Sequence, residues 1–144
     1  MIVNNKGVRI IFLTVQSKKS DVMQFLDELQ LMLSCKEFDV DTDIMLIKKR
    51  KKSDDLKYST TYTLTDLEYD INDVVNQLKA LTVEEYSETK IDKDDLNPPL
   101  LFVFGKYVNN QLVYIKLKIK GKQRKYVLCV SFHYAKETMF FPYA

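Results

Sequence analysis

Residues 100–133, LLFVFGKYVNNQLVYIKLKIKGKQRKYVLCVSFH, carry the pattern that decides the fold. Three apolar-rich runs, 100–107, 112–120 and 125–133, are separated by turn residues. Asn109-Asn110 suits a two-residue hairpin because asparagine tolerates positive φ, and Gly121 with the polar residues after it makes a second turn. In the middle run Val113, Ile115, Leu117 and Ile119 point one way, and Tyr114, Lys116, Lys118 and Lys120 the other. In the third run Tyr126, Leu128, Val130 and Phe132 form the natural core set, which leaves Val127, Cys129, Ser131 and His133 opposite. Pairing the two core sets is expected to bring Tyr114, Lys116 and Lys118 beside Ser131, Cys129 and Val127. The chain's single histidine, His133, ends that same face.

Upstream the pattern changes period. Residues 8–16 read as a strand. Ser20 can cap a helix whose residues Val22, Phe25, Leu26, Leu29, Met32 and Leu33 repeat at i, i+3, i+4, i+7. Residues 43–49 and 56–64 read as strands around the run KKRKK at 48–52, which suits a solvated loop tip or a phosphate contact. A second helix is expected over 71–81 with Asp70 as its cap, and Thr82-Val83-Glu84-Glu85 has capping-box spacing. The acidic stretch 84–95 matches no calcium-loop spacing, and Pro98-Pro99 ends it. The aromatic tail 134–144 is expected to pack over the sheet.

The expected fold is therefore α+β, with helices packed on one face of a twisted antiparallel sheet. It is one domain over 1–144. Residues 1–19 form an extension strand, 20–95 a mainly helical part with a basic loop at 48–57, and 100–144 the sheet and tail. Composition agrees: 46% hydrophobic residues with three Gly and three Pro is a chain that buries a core. Cys35 and Cys129 stand far apart with no CxxC or Cys/His cluster, which points to a reducing compartment and away from structural zinc. The apolar run at 8–15 is too short to span a bilayer and lacks a small-residue cleavage site, so a cytoplasmic location without a membrane partner is expected.

The net charge of +2 hides an asymmetry. Residues 96–136 hold Lys106, Lys116, Lys118, Lys120, Lys122, Arg124, Lys125 and Lys136 and no acid, whereas the preceding 95 residues hold 14 basic and 19 acidic ones. This is either a polyanion site, shielded or met by acidic surface elsewhere, or a solvated lysine face that protects a sheet edge. With Tyr114 and His133 on the lysine face, RNA cleavage becomes chemically possible. The reaction needs a 2′-OH deprotonated, phosphorane charge stabilised and a 5′-oxygen protonated; imidazole, phenol and ammonium groups supply these, and no cofactor is required. Tyr114, Lys116 and His133 are the catalytic candidates, and Lys106, Lys118, Lys120, Lys122, Arg124 and Lys125 the RNA-binding ones. Cys129 and Ser131 are weaker candidates as nucleophiles, because no orienting third group accompanies them.

From Asp66 onward the chain resembles the MqsR-type (motility quorum-sensing regulator) toxins of bacterial type II toxin–antitoxin systems, relatives of the RelE/ParE toxins. The likeness is carried by DLEYDINDVVNQLKALTVEEYSE, by FVFGKYVNNQLVYIKLKIK and by VLCVSFHYAKETMFFPY, in that order and spacing. It implies a RelE-like α+β fold, metal-independent cleavage of mRNA, and inhibition by a cognate antitoxin that often binds DNA. By position Tyr114 matches the family's active-site tyrosine, and His133 stands where a catalytic lysine is found. Glu88 replaces a family lysine, with Lys90 nearby, and the family's glutamine before the first C-terminal strand pair has no counterpart in 100–104. Two other readings are a non-catalytic nucleic-acid- or protein-binding module of a phage or mobile element, and a toxin acting on a protein target such as a gyrase.

Overall fold

A computed structural model describes residues 14–49 and 55–144. Residues 8–13 of the strand expected over 8–16, and residues 50–52 of the basic run, lie outside the described residues. Among the described residues three helices, α1 (Lys19–Ser34), α2 (Thr60–Leu67) and α3 (Ile71–Lys79), accompany six strands: β1 (Thr14–Val15), β2 (Ile44–Leu46), β3 (Tyr86–Lys90), β4 (Leu101–Val108), β5 (Gln111–Lys120) and β6 (Tyr126–Tyr134). The strands form one sheet in the order β1-β3-β4-β5-β6-β2. All neighbours are antiparallel except β2, which runs parallel to β6 along one edge.

The helices lie on one side of the sheet, as the α+β expectation requires. Phe25 of α1 stacks on Phe102 of β4 with ring centroids 4.2 Å apart. Val74, Val75 and Leu78 of α3 join Ile115, Leu117 and Phe132 in the same buried cluster. Asp70 caps α3 through a reciprocal capping box with Asp73, and Thr82 does the same with Glu85 at the turn that follows. Asn109 and Asn110 take φ of 50° and 65°, the left-handed pair that a tight β4–β5 hairpin needs.

Three expectations are corrected. Ser20 does not cap α1, which begins at Lys19 after Lys18 with no side-chain cap. Residues 56–64 are not a strand but a 3₁₀ turn, Leu56–Tyr58, followed by α2. Ser59 accepts from the Tyr62 N–H and starts the helix. Thr60 and Thr63 then accept from the outward N–H groups of Phe132 and Tyr134 on β6, at 3.3 and 2.9 Å. The β-favouring threonines are thus used as hydrogen-bond acceptors beside a sheet edge, and that tertiary role overrides propensity. Residues 20–95 hold nearly all the helical residues and also supply β2 and β3.

The third correction concerns β6. Its register on β5 shifts between Lys116 and Leu117, where Val130 is an extra residue. Phe132 faces the core as the alternation predicts, and Tyr134, expected in the tail, extends the strand inward beside it. Beyond the bulge, however, Val127 and Cys129 turn inward, and Leu128 pairs with Lys118. Tyr114 consequently sits opposite His133, and Lys116 opposite Ser131.

Candidate active site

The face of the sheet away from the helices is where the sequence-predicted residues meet. Tyr114 and His133 are cross-strand partners with rings stacked at 5.2 Å between centroids and 15° between planes. The Lys116 ammonium lies 6.0 Å from the centre of the Tyr114 ring. All three catalytic candidates are therefore together. His133 Nδ1 is 2.9 Å from the Tyr134 carbonyl oxygen. A carbonyl only accepts, so Nδ1 is the donor in this contact. Burial, with a contribution from the Glu88 carboxylate, pushes the Tyr114 phenol up to about 12. It is a neutral donor across the physiological range.

Tyr114 and His133 line an open cleft of about 600 Å³, together with Glu88 and Lys90 of β3 and Lys136 and Phe140 of the C-terminal tail. The tail is held down at Gly105, opposite Tyr114 on β4. A Cβ there would come within 2.8 Å of both Met139 Sδ and the Phe141 ring, so only glycine lets the tail lie this close. Ser87 Oγ donates to the Phe140 carbonyl at 2.7 Å, Tyr143 stacks on Tyr86 at 5.7 Å, and the Tyr143 hydroxyl donates to the Ser17 carbonyl at 2.5 Å. Lys136 and Phe140 were not among the sequence candidates. Their signal was the aromatic tail, whose path over the site only the tertiary fold specifies.

The remaining basic candidates are engaged elsewhere. Lys118 is fully buried, its ammonium 2.9 Å from Asp92 and 3.4 Å from Asp95. It pins the segment 91–99 over the sheet and is not a surface phosphate contact. Lys120 pairs with Asp95 at 2.5 Å, Arg124 grips Asp43 with two nitrogens at 2.8 and 2.9 Å, and Lys125 meets Glu28 at 2.6 Å. Lys106 pairs with Glu85 at 3.3 Å and, paired in register with Val113, points to the helix side of the sheet. Lys122 is exposed in the β5–β6 turn, beyond the far end of β5 from Tyr114, roughly 20 Å away. The acid-free stretch is thus largely neutralised by carboxylates from earlier in the chain. Cys129 faces the core, where burial pushes its thiol up to about 12. It is a packed, protonated thiol and not a nucleophile.

No helix among the described residues is long and apolar enough to cross a membrane. Compared with family models, curated proteins and solved structures, the chain matches none.

Proposed function

We propose that the chain is a metal-independent endoribonuclease cleaving single-stranded RNA, and that it acts on mRNA as the toxin of a type II toxin–antitoxin pair. The observation that carries the chemistry is the Tyr114–His133 stack, which lines an open cleft of about 600 Å³, with Lys116 beside it. The toxin role, and a cognate antitoxin as partner, rest on the resemblance of residues 66–143 to the MqsR-type family.

In the proposed reaction His133 Nε2 takes the 2′-OH proton as the O2′–P bond forms. Lys116 faces the charge that accumulates on the non-bridging oxygens. Tyr114 gives its proton to O5′ as the P–O5′ bond breaks, leaving a 2′,3′-cyclic phosphate and a 5′-hydroxyl. A phenol near 12 suits that last step, because it stays protonated until an alkoxide develops beside it. Glu88, which departs from the family pattern, contributes a carboxylate to the same cleft and helps keep the phenol neutral.

The test is purified protein with mixed RNA, with and without ribosomes and in excess chelator, followed by mapping of 5′ ends. Fragments with 5′-hydroxyl and cyclic phosphate termini are expected, formed about 100-fold or more slowly with His133→Ala. Intact RNA at micromolar protein would overturn the reading. Growth arrest in cells with intact mRNA and stalled replication would favour a protein target instead.

A further inference from the structure

Phe140 is 72% exposed, although everything around it is fastened. Its carbonyl accepts from Ser87 Oγ, and its neighbours Met139 and Phe141 pack onto Gly105. Tyr143, three residues on, is tied to Ser17 and stacked on Tyr86. A large apolar ring on a loose tail needs no explanation. One held out by an anchored backbone, in the wall of the cleft that contains Tyr114 and His133, has a ligand-facing geometry.

We infer that Phe140 is a stacking platform for one unpaired nucleobase of the strand bound in this cleft. The occupant follows from the company the ring keeps. Lys136 lines the cleft and Lys116 stands beside Tyr114, so both attract a phosphodiester chain. A planar base attached to that chain gains from lying on an aromatic face whatever its identity. Double-stranded RNA, whose bases are already stacked, gains nothing there. This deepens the ribonuclease reading and rests on it for the identity of the ligand, but base stacking and bond cleavage are separable.

The chain contains no tryptophan, so Phe140→Trp installs a single reporter at the platform. The probes are a 2′-O-methyl oligoadenylate, which cannot be cleaved, an abasic ribose-phosphate oligomer of the same length, and a 2′-O-methyl duplex. The oligoadenylate is expected to quench the emission of the installed indole, whereas the abasic oligomer and the duplex leave it unchanged. By anisotropy, Phe140→Ala is expected to bind the oligoadenylate about tenfold or more weakly than wild type, with Phe140→Trp restoring affinity and both variants melting like wild type. Equal quenching by abasic and base-bearing oligomers, or wild-type affinity in Phe140→Ala, would overturn the platform even if RNA is cleaved. Quenching by the base-bearing oligomer with no cleavage of natural RNA would keep the platform and remove the nuclease.

Discussion

At Tyr114 and His133 the chemistry depends on two rings from adjacent strands. Tyr114→Phe keeps the stack and removes only the hydroxyl, whereas His133→Ala removes the imidazole and the stack with it. Each is expected to lower RNA turnover by about 100-fold or more, the usual size of a general acid or base contribution, with an unchanged far-UV spectrum. Because Tyr114 ionises only near 12, the rate should show no alkaline fall from its phenol between about pH 8 and 10. Gly105 is the other sensitive position. Gly105→Ala drives a methyl into Met139 and Phe141 and is expected to cost about 1–3 kcal/mol by urea denaturation, as overpacking does, while loosening the tail. That the tyrosine, lysine and histidine share one face was legible from strand alternation. The glycine was not, since nothing local to it says that the distant C-terminal tail lies against its Cα.

Among the elements, the segment 91–99 is held by a buried ion pair and not by regular structure. Lys118→Met keeps the volume but leaves Asp92 and Asp95 without their shared cation. A loss of about 3 kcal/mol or more is expected in urea, because an uncompensated buried carboxylate is costly. Burial is the largest single influence on the Asp92 carboxyl and raises it, but the Lys118 hydrogen bond, the Asp94 N–H and the Lys118 charge together outweigh it and hold Asp92 below the usual carboxylate range. Hydrogen bonds from Lys120 and the Asn97 N–H bring Asp95 down to about 2. Carboxyls depressed in the folded state stabilise it fully above about pH 4 and less as pH falls toward about 2. The urea midpoint should therefore drop across that window, and drop less steeply in Lys118→Met. At the other edge, Thr63→Val strands the Tyr134 N–H and is expected to cost about 1–3 kcal/mol. Helices α1 and α3 were readable because a 3.6-residue stripe reports its own burial. Helix α2 and strand β3 were not: STTYTLT has strand composition and YSETK has none, and each takes its form from what it lies against.

For the molecule as a whole, the charge asymmetry resolves into internal complementarity. Acids from the first two-thirds of the chain, Glu28, Asp43, Glu85, Asp92 and Asp95, meet the bases of the last third. Composition admits both a polyanion site and a neutralised face, and only the pairing decides between them. If Lys90, Lys116 and Lys136 alone meet phosphates, log affinity for single-stranded RNA should fall with log salt at a slope of about −2; use of all the bases of residues 96–136 would give about −6. A titration from about 50 to 300 mM salt separates these. The threonines of α2 have a different consequence at this scale. An uncovered strand border is a template on which other chains can polymerise. Along β6 that border is closed, since the Val127 N–H goes to Asp43, the Cys129 carbonyl takes the Ile47 N–H, and Thr60 and Thr63 take the next two donors. A single helical turn with two hydroxyls thereby acts as a chain terminator at this end of β6, taking the donors that a further strand would need.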